Sequence, residues 1–182
     1  AAKVLFYRLF PSREALVVPH GADGPLQALP PGLSSWLGPW RRRLVARTDV
    51  RASRHRPWWM LFRTEAARAD RPRVVWSDVG KVPAAAVLPA GTPHVPLNTC
   101  YVVWTATDDE ALALAALLNS AVAAAWLSAI AEPARGGWKR YLGWTVAQLP
   151  IPHDWPAAVR RLAPLGAAGW RGQPPHADAL WE

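Results

Sequence analysis

Basic and aromatic side chains are concentrated in residues 41–81, where together they could bind nucleic acid. This segment carries twelve of the 21 lysines and arginines and only four acids, so its net charge of +8 equals that of the entire chain. Arginines neutralise phosphates, and the interspersed Trp58, Trp59, Phe62 and Trp76 could stack on bases or fill a core. A net charge confined to one segment indicates a basic face. The alternative interpretation is an arginine-rich surface that is merely solvated.

Most of the candidate contacts with nucleic acid lie in three places. These are the basic loop before Trp58, the strand at 73–76 with the turn that follows it, and a second basic-aromatic patch around Trp138. Two candidates also have structural explanations: His55 as a solvated loop histidine, and Asn98 as a turn former. The complete set is Arg51, Arg54, His55, Arg56, Trp59, Arg63, Arg71, Arg73, Lys81, Asn98, Arg135, Trp138, Lys139 and Arg140.

Motifs for other kinds of chemistry are missing from the sequence. It has no glycine-rich phosphate loop, no nucleotide fingerprint and no metal-ligand spacing, and its five histidines are scattered. The acids at 108–110 fit a helix start, where the helix dipole favours them. We therefore expect no catalysis by this chain alone, no cofactor in it and no metal. The single Cys100 excludes an internal disulfide and fits a reducing, cytoplasmic setting, where it would be a small buried hydrophobe.

The elements that must position these residues are short and separated by turns. Strands are predicted at 4–10, 15–19, 58–62, 73–76, 85–88 and 98–104. Helices are predicted from Ser34 or Ser35 to about Thr48, over 108–131 with a bend at Asn119-Ser120, and over 156–165. Residues 50–57 are predicted to be a basic loop, 64–70 a helical or irregular link, and 145–149 a short helix or strand. In the first helix, Trp36 and Trp40 are expected on or near the apolar face.

One uncharged segment, residues 111–131, is long enough to cross a bilayer. Ten of its 21 residues are alanine, polar residues interrupt it, and Thr107 begins a helix-capping signal before it. We therefore predict a buried helix or helix pair and no membrane partner. The chain starts at Ala1 without a signal-peptide pattern, so we expect a cytoplasmic fragment of a longer protein.

Several short segments follow one another in a recognisable order between residues 34 and 152. They are Trp36-Leu37 before an arginine-rich helix, Arg56-Pro57-Trp58-Trp59, Arg71-Pro72-Arg73-Val74-Val75-Trp76, Leu97-Asn98-Thr99-Cys100-Tyr101-Val102-Val103, Leu114-Ala115-Ala116-Leu117-Leu118-Asn119-Ser120, Lys139-Arg140-Tyr141-Leu142 and Gln148-Leu149-Pro150-Ile151-Pro152. In their order and spacing they resemble the C-terminal target-recognition domain of TaqI-type N6-adenine DNA methyltransferases. This domain type also occurs in fused type II restriction-modification enzymes and related phage-defence methyltransferases.

The resemblance implies a recognition domain separated from its catalytic half. In that family an N-terminal Rossmann-like domain binds S-adenosylmethionine and holds the flipped adenine with an Asn-Pro-Pro-Tyr/Phe motif, and this sequence has neither that motif nor a cofactor loop. The implied fold is α/β (α+β), with a curved, mostly antiparallel sheet flanked by helices. The implied domains are a hairpin or linker at 1–33, the DNA target-recognition domain at 34–152, and a C-terminal helix and tail at 153–182.

The expected function is sequence-specific recognition of double-stranded DNA, with the methyltransferase catalytic domain of the same parent protein as the second partner. One alternative is a basic protein-interaction or scaffold domain that binds an acidic partner. Another is an RNA-binding domain, although such domains usually expose several aromatics on one sheet face. Here Trp58, Trp59, Trp76 and Trp104 are dispersed, and we assign them first to the core. Strand alternation would allow at most one of Trp58 and Trp59 to be exposed.

Overall fold

A computed structural model describes residues 3–5, 7–10, 15–21, 24–53, 56–62 and 64–172. The chain divides into two compact units: Ala15–Glu65 forms the smaller, and Ala1–Glu14 together with Ala66–Glu182 forms the larger. This division falls inside the stretch 34–152 that was expected to be one domain. Helices occur alongside strands that pair only in antiparallel fashion in the described residues, which confirms the α+β class.

The smaller unit consists of short elements. In chain order, β1 (Lys3–Leu5) and β2 (Arg8–Phe10) come first and pair as part of the larger unit. The smaller unit begins with a second antiparallel pair, β3 (His20–Gly21) and β4 (Gly24–Pro25). Helix α1 (Pro31–Leu37) begins with proline in its first turn, a position where the missing N–H costs nothing. A 3₁₀ turn (Gly38–Trp40), α2 (Arg41–Val45) and α3 (Thr48–Ala52) follow.

Several sequence predictions for the smaller unit were wrong. The helix predicted at 34–48 begins earlier and is interrupted by the 3₁₀ turn that contains Pro39, and α3 occupies part of the predicted basic loop. Residues 15–19 pair with no described strand. Residues 58–62 form a turn at Trp58-Trp59 followed by irregular chain, which together we call the turn at 58–62. The turn forms because its polar groups bond to the region of β3 and β4: the Trp59 indole donates to the Leu26 carbonyl at 3.1 Å, and the Leu61 amide donates to His20 Nε2 at 2.8 Å.

The larger unit is built around a three-stranded antiparallel sheet. Its strands are β5 (Arg73–Ser77) in the centre, with β7 (Ala85–Leu88) and β8 (Cys100–Trp104) on either side. In β5, Val74 and Trp76 belong to one buried cluster and Val75 to the other, as strand alternation requires. The strands predicted at 73–76 and 85–88 are confirmed, and the strand predicted at 98–104 is present but begins at Cys100, after a turn at Asn98-Thr99.

The first cluster joins this sheet to two helices, α4 (Asp108–Leu118) and α5 (Ala121–Ile130). Thr107 Oγ1 accepts from the Glu110 amide at 3.2 Å, and the Glu110 carboxylate accepts from the Ala106 amide at 2.8 Å, so the predicted capping signal is confirmed. The helices meet at 64°. At the predicted bend, Ser120 has an extended backbone and its Oγ accepts from the Ala123 amide at 3.1 Å, which caps α5. The Asn119 side chain bonds to both the amide and the carbonyl of Ala85.

Within the described ranges, no single helix is both long and apolar enough to cross a bilayer; α4 and α5 reach that length and composition only as a bent pair.

The chain continues through β9 (Glu132–Pro133), β10 (Lys139–Arg140) and α6 (Gly143–Val146) to α7 (Trp155–Trp170). Strand β10 lies between β9 and β6 (Val79–Gly80) in a second small sheet. The helix predicted at 156–165 is longer in the structure because two glycines near its end bring it close to its neighbours. A Cβ at Gly166 would overlap the Leu112 carbonyl of α4, and one at Gly169 would meet the Tyr7 ring.

Candidate nucleic-acid interface

An exposed basic surface of the smaller unit lies on α2. Arg41, Arg42 and Arg43, which we call the arginine ridge, are all exposed. Two of them lie against tryptophans: the Arg41 guanidinium carbon is 5.7 Å from the Trp58 ring centre, and that of Arg43 is 5.6 Å from the Trp40 ring centre. Such contacts keep an arginine extended while leaving its outer N–H groups available to another partner.

The charge around the ridge is not compensated locally. The unit Ala15–Glu65 contains eight arginines and three acidic residues, a net charge of +5. The ion pairs found among the described residues involve Arg47, Arg68 and Arg71, and none of them involves the ridge. The ridge therefore presents a positive charge that an anionic polymer could neutralise.

Arg47 belongs to the scaffold that supports this surface. Its Nη2 donates to the carbonyls of Met60 at 2.6 Å and Trp58 at 3.2 Å, and its Nε donates to the Leu44 carbonyl at 3.2 Å. This one side chain thus ties the end of α2 to the turn at 58–62. The same turn holds Trp58 where Arg41 can lie over it.

His20 supports the turn from its other end. Because Nε2 accepts the Leu61 amide hydrogen, the ring is neutral and carries its proton on Nδ1. Burial lowers the pKa of His20, which also favours the neutral ring. The turn is therefore held by a bond that exists only while this histidine is uncharged.

The candidates from the basic loop have different environments. Arg51 is exposed in the last turn of α3. Arg56 is exposed, with Nη1 3.8 Å from the Met60 sulfur. Trp59 is half-buried, and its ring meets Trp58 edge-on at 5.4 Å. Three further candidates, Arg54, His55 and Arg63, lie outside the described residues.

Arg71 and Arg73, two residues apart, have opposite environments. Arg71 is exposed, with Nε 3.7 Å from an Asp70 carboxylate oxygen. Arg73 is 0% exposed and donates to the carbonyls of Ala66, Thr92 and His94 at 2.9, 3.0 and 3.3 Å. Burial lowers the pKa of Arg73, although the nearby Asp70 opposes this. Arg73 thus presents no surface to DNA here, so we correct its assignment from a DNA contact to a structural residue.

The remaining candidates, apart from Asn98, come together on the second small sheet of the larger unit. We call this group the β10 patch: Lys81, Arg135, Trp138, Lys139 and Arg140. Gly80 pairs with Lys139, which places Lys81 next to β10. Arg135, Trp138 and Arg140 are exposed, whereas the half-buried Lys139 donates its ammonium to the Ser128 carbonyl of α5.

Asn98 lies apart from the β10 patch, in the exposed turn before β8. This position agrees with the structural alternative, in which an asparagine opens a strand as a turn former.

The sequence did not single out the arginine ridge as a set of contacts. The helical pattern predicts that these arginines face phosphates or solvent, and it does not distinguish between the two. It also placed Trp36 and Trp40 on an apolar face, whereas they are 58% and 50% exposed. The signal that could have identified the ridge is the run of three arginines directly after Trp40.

Within the part of the chain that the structure describes, no group of three or more His, Cys, Asp or Glu residues could hold a metal ion. No protein-family model matches the chain, and a search of curated proteins finds no match.

Proposed function

We propose that this chain is a double-stranded DNA recognition domain that serves an N6-adenine DNA methyltransferase. The observation that carries the proposal is the arginine ridge, where three exposed arginines have no carboxylate partner among the described residues and two lie against tryptophans. A regular array of phosphates is the common biological ligand that would neutralise such a ridge.

The ridge would provide affinity, and other residues would provide sequence choice. Phosphate contacts carry no sequence information, whereas a bidentate arginine–guanine pair contributes about 1–3 kcal/mol of discrimination. Two candidates from the predicted basic loop, Arg51 and Arg56, lie among the described residues. Both are exposed and could reach a base edge. The β10 patch of the larger unit offers a separate set of phosphate contacts through Lys81, Arg135 and Arg140.

The link to adenine methylation is supported by the order of sequence segments that resembles the TaqI-type domains. Flipping an adenine costs a few kcal/mol of stacking and pairing, so a methyltransferase must hold the duplex while its base is extruded. In this proposal the chain holds the duplex, and the catalytic domain of the parent protein binds S-adenosylmethionine and transfers the methyl group. We also propose that the protein acts in the cytoplasm.

The salt dependence of duplex binding tests the electrostatic part. The ridge offers three exposed arginines to the phosphates: Arg41, Arg42 and Arg43. If each contacts one phosphate, their share of the slope of log K against log salt is about −2.7, which alone lowers affinity about 40-fold between about 50 and 200 mM salt. The variant R41A/R42A/R43A should flatten this slope by about 2.7.

The matched control is R160A/R161A/R171A, which removes three exposed arginines on and just after α7 and changes the net charge equally. Fluorescence anisotropy with a labelled duplex measures the slope, and circular dichroism checks that each variant is folded. A slope that both variants flatten equally would mean that only the overall charge matters. A wild-type affinity that does not respond to salt would exclude the proposal.

A further inference from the structure

The smaller unit contains an apolar cleft beside the arginine ridge. Its volume is about 270 Å³, and its walls include Leu16, Val17, Trp36, Leu37, Leu44 and Trp59. Leu16 and Trp36 are 50% and 58% exposed. Exposed apolar walls of this kind are typical of sites that bury a side chain of a partner.

The polar groups of the cleft are already engaged in the fold. Among the described residues that line it, Arg47 is the only charged one, and its Nη2 and Nε donate to the carbonyls of Trp58, Met60 and Leu44. The Trp59 indole N–H is bonded to the Leu26 carbonyl. A nucleobase buried here would lose the hydration of its polar edge with little to replace it, whereas a bulky apolar side chain would gain from burial.

Positive charge lies near the cleft. Arg41 is three residues before Leu44 on α2 and therefore lies on the same helix face as this lining residue. Arg41 lies over Trp58, whose ring centre is 5.4 Å from that of the lining residue Trp59. The apolar cleft is thus bordered by an exposed guanidinium in a unit of net charge +5.

We propose that this cleft docks an acidic segment of a partner protein that carries one bulky apolar side chain. The apolar side chain enters the cleft between Trp36 and Trp59, and neighbouring carboxylates contact Arg41. This combination of an aromatic-walled anchor site and a charged rim is typical of peptide-binding surfaces. The proposal adds a protein partner to the DNA-binding role and does not depend on that role.

The test uses the whole chain and a short synthetic peptide of Asp, Glu and Ser with one central Phe. Binding is measured by calorimetry with the wild type and with W36A, which removes a largely exposed cleft wall. We expect W36A to weaken peptide binding about tenfold. The control W144A removes a 62% exposed tryptophan of α6 and should leave the affinity unchanged.

Two further comparisons separate local contacts from overall charge. R41E should weaken peptide binding more than R42E, because Arg42 is also exposed but lies on another face of α2. A peptide with Ala in place of Phe should bind about tenfold more weakly than the Phe peptide.

Several outcomes would overturn the proposal. They are an absence of peptide binding, equal affinity for the Phe and Ala peptides, and equal effects of W36A and W144A. If W36A weakens the binding of a single-stranded oligonucleotide but not of the peptide, the cleft takes a base instead. Duplex affinity that is unchanged in W36A would show that the cleft takes no part in DNA binding; because both proposals use Arg41, W36A is the variant that lets either proposal fail alone.

Discussion

Replacing the buried Arg73 with alanine should destabilise the larger unit without removing a DNA contact. The guanidinium makes three hydrogen bonds to backbone carbonyls, of Ala66, Thr92 and His94. At about 1.5 kcal/mol for each bond from a charged donor, they sum to about 4.5 kcal/mol. The alanine variant also no longer has the desolvation cost of a buried cation, which offsets part of this sum. We therefore expect the free energy of unfolding to fall by about 3 kcal/mol.

The bonds also determine which part of the structure should loosen. They connect the central strand β5 to the turn at 64–67 and to the connection between β7 and β8. Arg73→Met restores much of the side-chain volume but none of these bonds, so its stability should lie between those of the alanine variant and the wild type.

Urea unfolding followed by circular dichroism gives the free energies. Arg71→Ala is the matched control, since Arg71 is exposed and its pair with Asp70 should contribute less than about 1 kcal/mol. An Arg73→Ala protein that keeps its stability but loses duplex affinity would refute this reasoning. Arg73 would then be a DNA contact, as the sequence suggested.

Two other perturbations test the packing of α7 and the histidine that holds the turn at 58–62. Gly166→Ala should lower the free energy of unfolding by about 1–3 kcal/mol, because its Cβ would overlap the Leu112 carbonyl. Gly32→Ala in α1, whose Cβ would have nothing within 4 Å, should not lower it. Equal melting temperatures for the two variants would contradict this packing. Because burial lowers the pKa of His20 below its usual 6.5, the smaller unit should have its full stability above pH 6.5 and lose stability as the pH falls toward the folded-state pKa. His20→Gln keeps an acceptor for the Leu61 amide, so thermal melts of this variant should lose that part of the pH dependence, and an unchanged pH profile would rule out His20 as its source.

Local patterns predicted the elements whose residues depend mainly on their sequence neighbours. The β-branched and aromatic run at 100–104 forms β8. The spacing of Thr107 and Glu110 marks the start of α4 because their side chains accept from the backbone amides of Glu110 and Ala106. Asn119 was correctly predicted at a bend. Its bonding partner, Ala85, is far away in the sequence and could not be identified from the pattern.

Gly166 and Gly169 show why the last helix was predicted too short. Glycine usually weakens or ends a helix, so α7 was expected to stop at Leu165. In the structure these glycines continue the helix, because only a residue without a Cβ allows α7 to approach Leu112 and Tyr7 so closely. The propensity of an isolated helix does not include this contact.

The sequence by itself determined the α+β class, the strands of the central sheet and the amount of charge in the segment 41–81. Tertiary structure alone decided which of those charges are available. Arg73 lies on the same face of β5 as Val75, and segments before and after the strand cover its guanidinium, whereas Arg41, Arg42 and Arg43 extend from a short helix that buries none of its residues. The physical reason is that charge belongs to a residue type, whereas burial depends on which distant segments pack over it.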